Sequence, residues 1–178
     1  MRRWRRFVLP LTLLLTACDG NTELMQKVID GDDAAVAADL ARGIEVDARN
    51  NYGWTALMHA ARQGDVESLR LLLDAGAAVD AVDADGWSAL MRAAAKGNEA
   101  AVALLLSRGA DVKHADNKGW AALHWAANRG HAVVVRQLIA AGADLDAKTN
   151  DGRTAMMIAR REQHADVLAL LQAAGAKF

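Results

Sequence analysis

Three tryptophans hold the same place in a recurring phrase: Gly53-Trp54-Thr55-Ala56-Leu57, Gly86-Trp87-Ser88-Ala89-Leu90 and Gly119-Trp120-Ala121-Ala122-Leu123. They stand 33 residues apart. The chemistry open to them is noncovalent, since a Trp offers a large apolar area and one N–H donor. So regular a spacing points to a shared surface rather than to three separate cores. Bond-making chemistry finds no support in the rest of the chain. Ser68, Ser88 and Ser107 lie outside any nucleophile-elbow pattern. His59, His114, His124, His131 and His164 lack a metal-ligand spacing such as HExxH. No phosphate-binding glycine loop is present. The expectation is a chain without catalysis, cofactor or metal.

Composition sets the frame for that surface. The chain has 178 residues, 53% hydrophobic and 24% charged, which fits a globular domain. It is rich in alanine and has one proline, Pro10, so helix is favoured. A net charge of −1 conceals an asymmetry, because Arg2, Arg3, Arg5 and Arg6 all precede the first acid, Asp19. Without residues 1–17 the chain carries 17 basic and 22 acidic residues, a net of −5. Such a chain is a poor general binder of nucleic acid.

The basic start runs into an apolar stretch, Phe7 to Ala17. It is too short for a bilayer core, which needs about 20 residues. Its layout is that of a secretory signal peptide. Leu15-Thr16-Ala17-Cys18 resembles a bacterial lipobox. That resemblance implies a signal peptide over 1–17, cleavage before Cys18, and a lipidated Cys18 as membrane anchor. The alternative is an ordinary signal peptide beside an unrelated cysteine. Cys18 is the one cysteine, so no intrachain disulfide is possible. Asp19 resembles the enterobacterial signal for retention at the inner membrane. The implied location is the cell envelope, lipid-anchored, on the periplasmic face.

Gly20, Gly53, Gly86, Gly119 and Gly152 are 33 residues apart, as are Gly43, Gly76, Gly109, Gly142 and Gly175. Gly31, Gly64, Gly97 and Gly130 form a third series, which Gln163 breaks. Thr22, Thr55, Ser88 and Thr154 suit the N-cap of a short first helix, and a glycine suits its end. Asp65 and Asn98 suit the N-cap of a second helix. Neither helix buries enough surface alone, so the units must stack.

A 33-residue period with this pattern resembles the ankyrin repeat. The resemblance spans residues 19–178 and implies an all-α repeat solenoid: five helix-turn-helix units with β-hairpin fingers. The units are 19–49 as N-terminal cap, 50–82, 83–115, 116–148, and 149–178 as C-terminal cap, within a domain over 18–178. The family's Thr-Pro-Leu-His motif is altered in every unit, for example to Thr55-Ala56-Leu57-Met58. No unit keeps both Thr and His, so the usual Thr–His bond is not expected, and Met packs in its place.

The interior pairs Ala60-Ala61 and Leu72-Leu73 become Lys27-Val28 and Asp39-Leu40 in the first unit. In the last unit they become Ala159-Arg160 and Leu171-Gln172. First members therefore face the preceding unit and second members the next, and the polar replacements mark solvent-facing ends of a complete stack. Gln163 costs about 1 kcal/mol if its backbone is left-handed, which would let the last unit fray.

In ankyrin proteins the residue before the helix start lies near a finger tip and lines a concave groove. Carried onto this chain, those positions are Trp54, Trp87, Trp120 and Arg153, with Tyr52 beside them and Trp125 on the neighbouring helix. Three Trp rings offer about 450–750 Å², close to the roughly 800 Å² one partner gives a standard interface. Trp and Arg are also enriched at binding hot spots. The bland alternative is that each ring lies on its neighbouring finger and stiffens the row. Arg62, Lys96, Arg129 and Arg161 sit beside this face, either as a solvated rim or as a basic lip for an acidic partner.

The resemblance implies a monomeric scaffold that binds a protein partner. Related bacterial lipoproteins support or retain a periplasmic enzyme such as a catalase, or inhibit a toxin. Two other classes stay open at this level: a glycan- or peptidoglycan-binding module using spaced Trp platforms, and a purely structural spacer.

Overall fold

The computed structural model describes residues 19–177. The segment expected to be a signal peptide, 1–17, and Cys18 lie outside the described residues. Ten helices are present among those described, in five consecutive pairs: α1 (Glu23–Asp30) and α2 (Asp33–Ala41), α3 (Ala56–Gln63) and α4 (Val66–Asp74), α5 (Ala89–Lys96) and α6 (Glu99–Ser107), α7 (Ala122–Arg129) and α8 (Ala132–Ala140), α9 (Ala155–Arg161) and α10 (Ala165–Ala173). First helices pack on first helices and second on second, so the chain is an α-repeat solenoid.

Small and medium apolar side chains build the core. Ala60, Ala61, Ala93, Ala94, Ala126 and Ala127 are fully buried between successive first helices. Leu69, Leu72, Val102, Leu105, Val134 and Leu138 fill the space toward the second helices. Met25, Met58 and Met91 hold the family's His position and are buried, so apolar packing does replace the polar bond there. His124 is the exception: its Nδ1 accepts from the Ala121 amide at 3.0 Å, and its Nε2 meets the Ala147 carbonyl at 3.0 Å.

The caps differ in part from expectation. The hydroxyls of Thr22, Ser88 and Thr154 accept from Met25, Met91 and Met157 amides. Thr55 does not cap α3, and its buried hydroxyl has no partner. Asp65 caps α4 through the Ser68 amide at 3.1 Å. Asn98 does not cap α6; it donates back to the carbonyls of Ala61 and Arg62 at 2.9 and 3.0 Å, tying its unit to the one before. The expected polar end face also needs correcting at Asp39. That carboxylate is 1% exposed, held by Lys27 at 2.6 Å and by Arg42. The Lys27 hydrogen bond holds its carboxyl below the usual range, against the opposing pull of burial.

The fingers are turns rather than strands. Among the described residues no strand forms, and only single antiparallel bridges join Val82 to Ser88 and Ala115 to Ala121. The expected β-hairpin ladder does not form among the described residues, and side chains organise the turn. Asp83 Oδ1 accepts from the Asp85 and Trp87 amides at 2.9 Å each, and Asp116 and Asn50 repeat the pattern. One backbone bond then links each finger to the next: Ala84 N–H to Tyr52 O, Asn117 to Asp85, Asn150 to Lys118, at 3.0–3.1 Å.

Gln163 takes φ 63°, the one positive value outside glycine among the described residues. At the equivalent Gly97 and Gly130 a Cβ would lie 2.6 Å from the rings of His131 and His164. No described unit presses on Gln163 in that way, so the position bears backbone strain without a clash. Gln163→Gly is expected to raise stability by about 1 kcal/mol in urea denaturation. Gly130→Ala, which meets both strain and the His164 ring, is expected to lower it.

Candidate functional site: a ladder of tryptophan and arginine

Two register positions meet on the finger side of the stack. One is the finger residue: Trp54, Trp87, Trp120, Arg153. The other lies five residues on, in the first helix: His59, Arg92, Trp125, Ile158. Arg92 and Trp125 each reach between their own finger and the preceding one. The Arg92 guanidinium carbon sits 3.9 Å from the Trp54 ring centre and 4.4 Å from that of Trp87. Trp125 sits 4.2 Å from Trp87 and 4.4 Å from Trp120. Arg153 closes one end at 5.8 Å from Trp120, while His59 stacks on Trp54 at 4.8 Å at the other.

The rings are therefore braced, and this changes what the sequence suggested. Each Trp of the row is partly buried, with ring faces already taken by neighbours. The full ring area is not on offer; rim and edge are. Trp125 belongs to the row as expected. Tyr52 stands apart at a finger tip, 56% exposed. Arg92 and His59 were not singled out from sequence, although the 33-residue register that exposes the Trp series also exposes theirs.

Arg92 carries two loads. It stacks between rings and pairs with Asp83, whose other oxygen organises the finger. Burial draws the Arg92 guanidinium below its ordinary value while the Asp83 bond opposes that; a guanidinium stays charged regardless. Burial, then the nearby charges of Arg62 and Arg92, push the His59 imidazole down to about 4. Its Nε2 is buried without a partner. Three other histidines meet backbone carbonyls: His114 meets Gly86 and His124 meets Ala147 within their own units, and His164 ties the last unit to Asn128 of the one before.

Beside the ladder lies an open pocket of about 480 Å³, lined by Trp54, Trp87, Arg92, Ala95, His131 and the expected rim residues Arg62, Lys96 and Arg129. Arg161 is elsewhere, paired with Glu162. Among the described residues no cluster of three His, Cys, Asp or Glu side chains is placed to hold a metal ion. No described helix is long and apolar enough to cross a membrane.

The repeat register, paired helices and turn fingers coincide with a match to the family model for ankyrin repeats over residues 13–116 and 108–178. The chain belongs to the ankyrin-repeat family. No curated protein matches it. Ankyrin repeats are in general protein-interaction modules rather than catalysts, so a protein partner is the function class the family gives.

Arg92→Ala removes the wedge between Trp54 and Trp87 and leaves Asp83 buried without its cation. A loss of about 3 kcal/mol in urea denaturation is expected. His59 gives a pH dependence. Its folded value lies below the unfolded 6.5, so the unfolded chain binds the extra proton first. Its contribution is present above pH 6.5 and is lost as pH falls toward about 4. His59→Gln should flatten stability against pH across that window, measured by urea denaturation at several pH values.

Proposed function

We propose that the chain is a lipid-anchored ankyrin scaffold of the bacterial envelope that holds a protein partner against its finger face. The observation that carries this reading is the ladder with its open basic pocket. Rigid aromatic edges, an exposed Tyr52 and several cations share one side of the stack. Preorganised side chains lose little entropy on binding, which suits a recognition surface. The partner is a periplasmic enzyme that is supported, or an enzyme or toxin that is inhibited.

The lipobox-like Leu15-Thr16-Ala17-Cys18 supports anchoring through Cys18. Only four residues separate Cys18 from α1, which begins at Glu23. The stack then lies close to the bilayer with restricted orientation. Stable anchoring takes more than one acyl chain, as a fully modified lipoprotein cysteine provides.

A second reading, a structural spacer, is favoured by the internal stacking of the rings. The two separate on whether the finger face touches anything. A photo-crosslinking residue in place of Tyr52, compared with one in place of Arg70 on α4, tests this in cells. A discrete adduct from position 52 and none from position 70 is the expected result. No adduct from either would leave the spacer.

Anchoring has its own test. Radiolabelled palmitate should label the wild type and not Cys18→Ala, and the variant should leave the membrane fraction. Equal labelling of both would remove the anchor.

A further inference from the structure

The last turn of every first helix carries a basic residue. That placement alone is ordinary, since a cation there complements the helix dipole. What differs is how the charges are met. In the first unit Lys27 is bonded to Glu23 and Asp39. In the last, Arg161 is bonded to Glu162. In the three inner units Arg62, Lys96 and Arg129 have no carboxylate within ion-pair distance among the described residues. These three converge on the pocket of about 480 Å³ beside Trp54 and Trp87.

Charge balance sharpens the contrast. No acid is among the residues lining this pocket, and Asp83, behind Arg92, is committed to that guanidinium and to two backbone amides. Beyond residue 17 the chain as a whole is acidic, 17 basic against 22 acidic residues. A local excess of positive charge thus sits on a negative molecule. His59, next to Arg62 and Arg92, has its protonation suppressed partly by those charges.

We infer that this pocket recognises an extended, acidic segment of the partner protein, with one carboxylate set against each inner unit. The inference rests on the protein-binding reading above and names the chemistry of the partner. Stacked helices stand roughly 10 Å apart. An extended polyproline II chain advances about 3.1 Å per residue with three residues per turn, so three residues span one unit and side chains three apart share one face. Carboxylates at i, i+3 and i+6 then meet Arg62, Lys96 and Arg129 in turn. The edges of Trp54 and Trp87 contact the residues between. Duplex nucleic acid fits poorly, because its dense phosphates would meet the acidic remainder of the stack.

The probe is a fluorescein-labelled peptide, Asp-Ser-Gly-Asp-Ser-Gly-Asp, titrated by anisotropy against the full chain in detergent at low salt. Its Asn-Ser-Gly-Asn-Ser-Gly-Asn counterpart is the control. The Asp peptide is expected to bind about tenfold or more tightly than the Asn peptide, and to weaken with added salt. Lys96→Glu/Arg129→Glu, checked for folding by circular dichroism, should weaken it by about tenfold or more. Equal binding of both peptides to the wild type overturns the inference without reference to any variant. So does unchanged binding to the charge-reversed variant. Tighter retention of phosphatidylglycerol vesicles or inorganic phosphate through Lys96 and Arg129 also overturns it, in favour of a phosphate site. If the Tyr52 adduct persists in the charge-reversed variant while peptide selectivity is absent, the scaffold reading stands and this inference alone falls.

Discussion

Alanine sets the spacing on which the rest of the molecule depends. At Ala60-Ala61, Ala93-Ala94 and Ala126-Ala127 the first helices meet through methyl groups with no exposed surface. A larger side chain there would push the units apart, since close-packed interiors do not absorb added volume cheaply. That short separation fixes the distance between fingers. It lets one backbone bond join each finger to the next, and it leaves a gap between finger tryptophans wide enough for one planar group. Arg92 fills the first gap and Trp125 the second.

Two planar groups of different character thus do one mechanical task. Trp125 brings area and dispersion. Arg92 brings a flat cation that stacks on both sides and still reaches Asp83. Guanidinium is suited to this because it is planar, delocalised and weakly hydrated, unlike an ammonium. The pairing has a consequence for recognition. Rings held on both faces cannot wrap a partner, but they present rigid edges and hold the neighbouring cations in register. The finger face therefore resembles a ruled surface more than a set of free anchors.

The ends of the stack are finished by charge rather than by exposed polarity alone. Lys27, Asp39 and Arg42 form a compact cluster on the first unit, and Arg161 pairs with Glu162 on the last. The inner units lack such closure at the same register. Uniform repetition places a cation at each first-helix terminus, and the local supply of acids decides which ones stay open.

The 33-residue register by itself determined a great deal. It identified the helix pairs, the alanine and leucine positions that are buried, the left-handed backbone at position 163 and the shared side of Trp54, Trp87 and Trp120. These follow from periodicity, because every unit repeats one local arrangement. What periodicity cannot express is contact between units. Asn98 reads as a cap but reaches back to α3; within the first unit, Asp39 reads as solvent-facing but is covered by Lys27 and Arg42. Arg92 draws no notice in the sequence and lies between two rings, one of them in the preceding unit. Asn98 and Arg92 each had a choice of partners, one within the unit and one across the interface. Only the tertiary structure decides that choice, because the distance to the second partner is set by helix stacking and not by the chain.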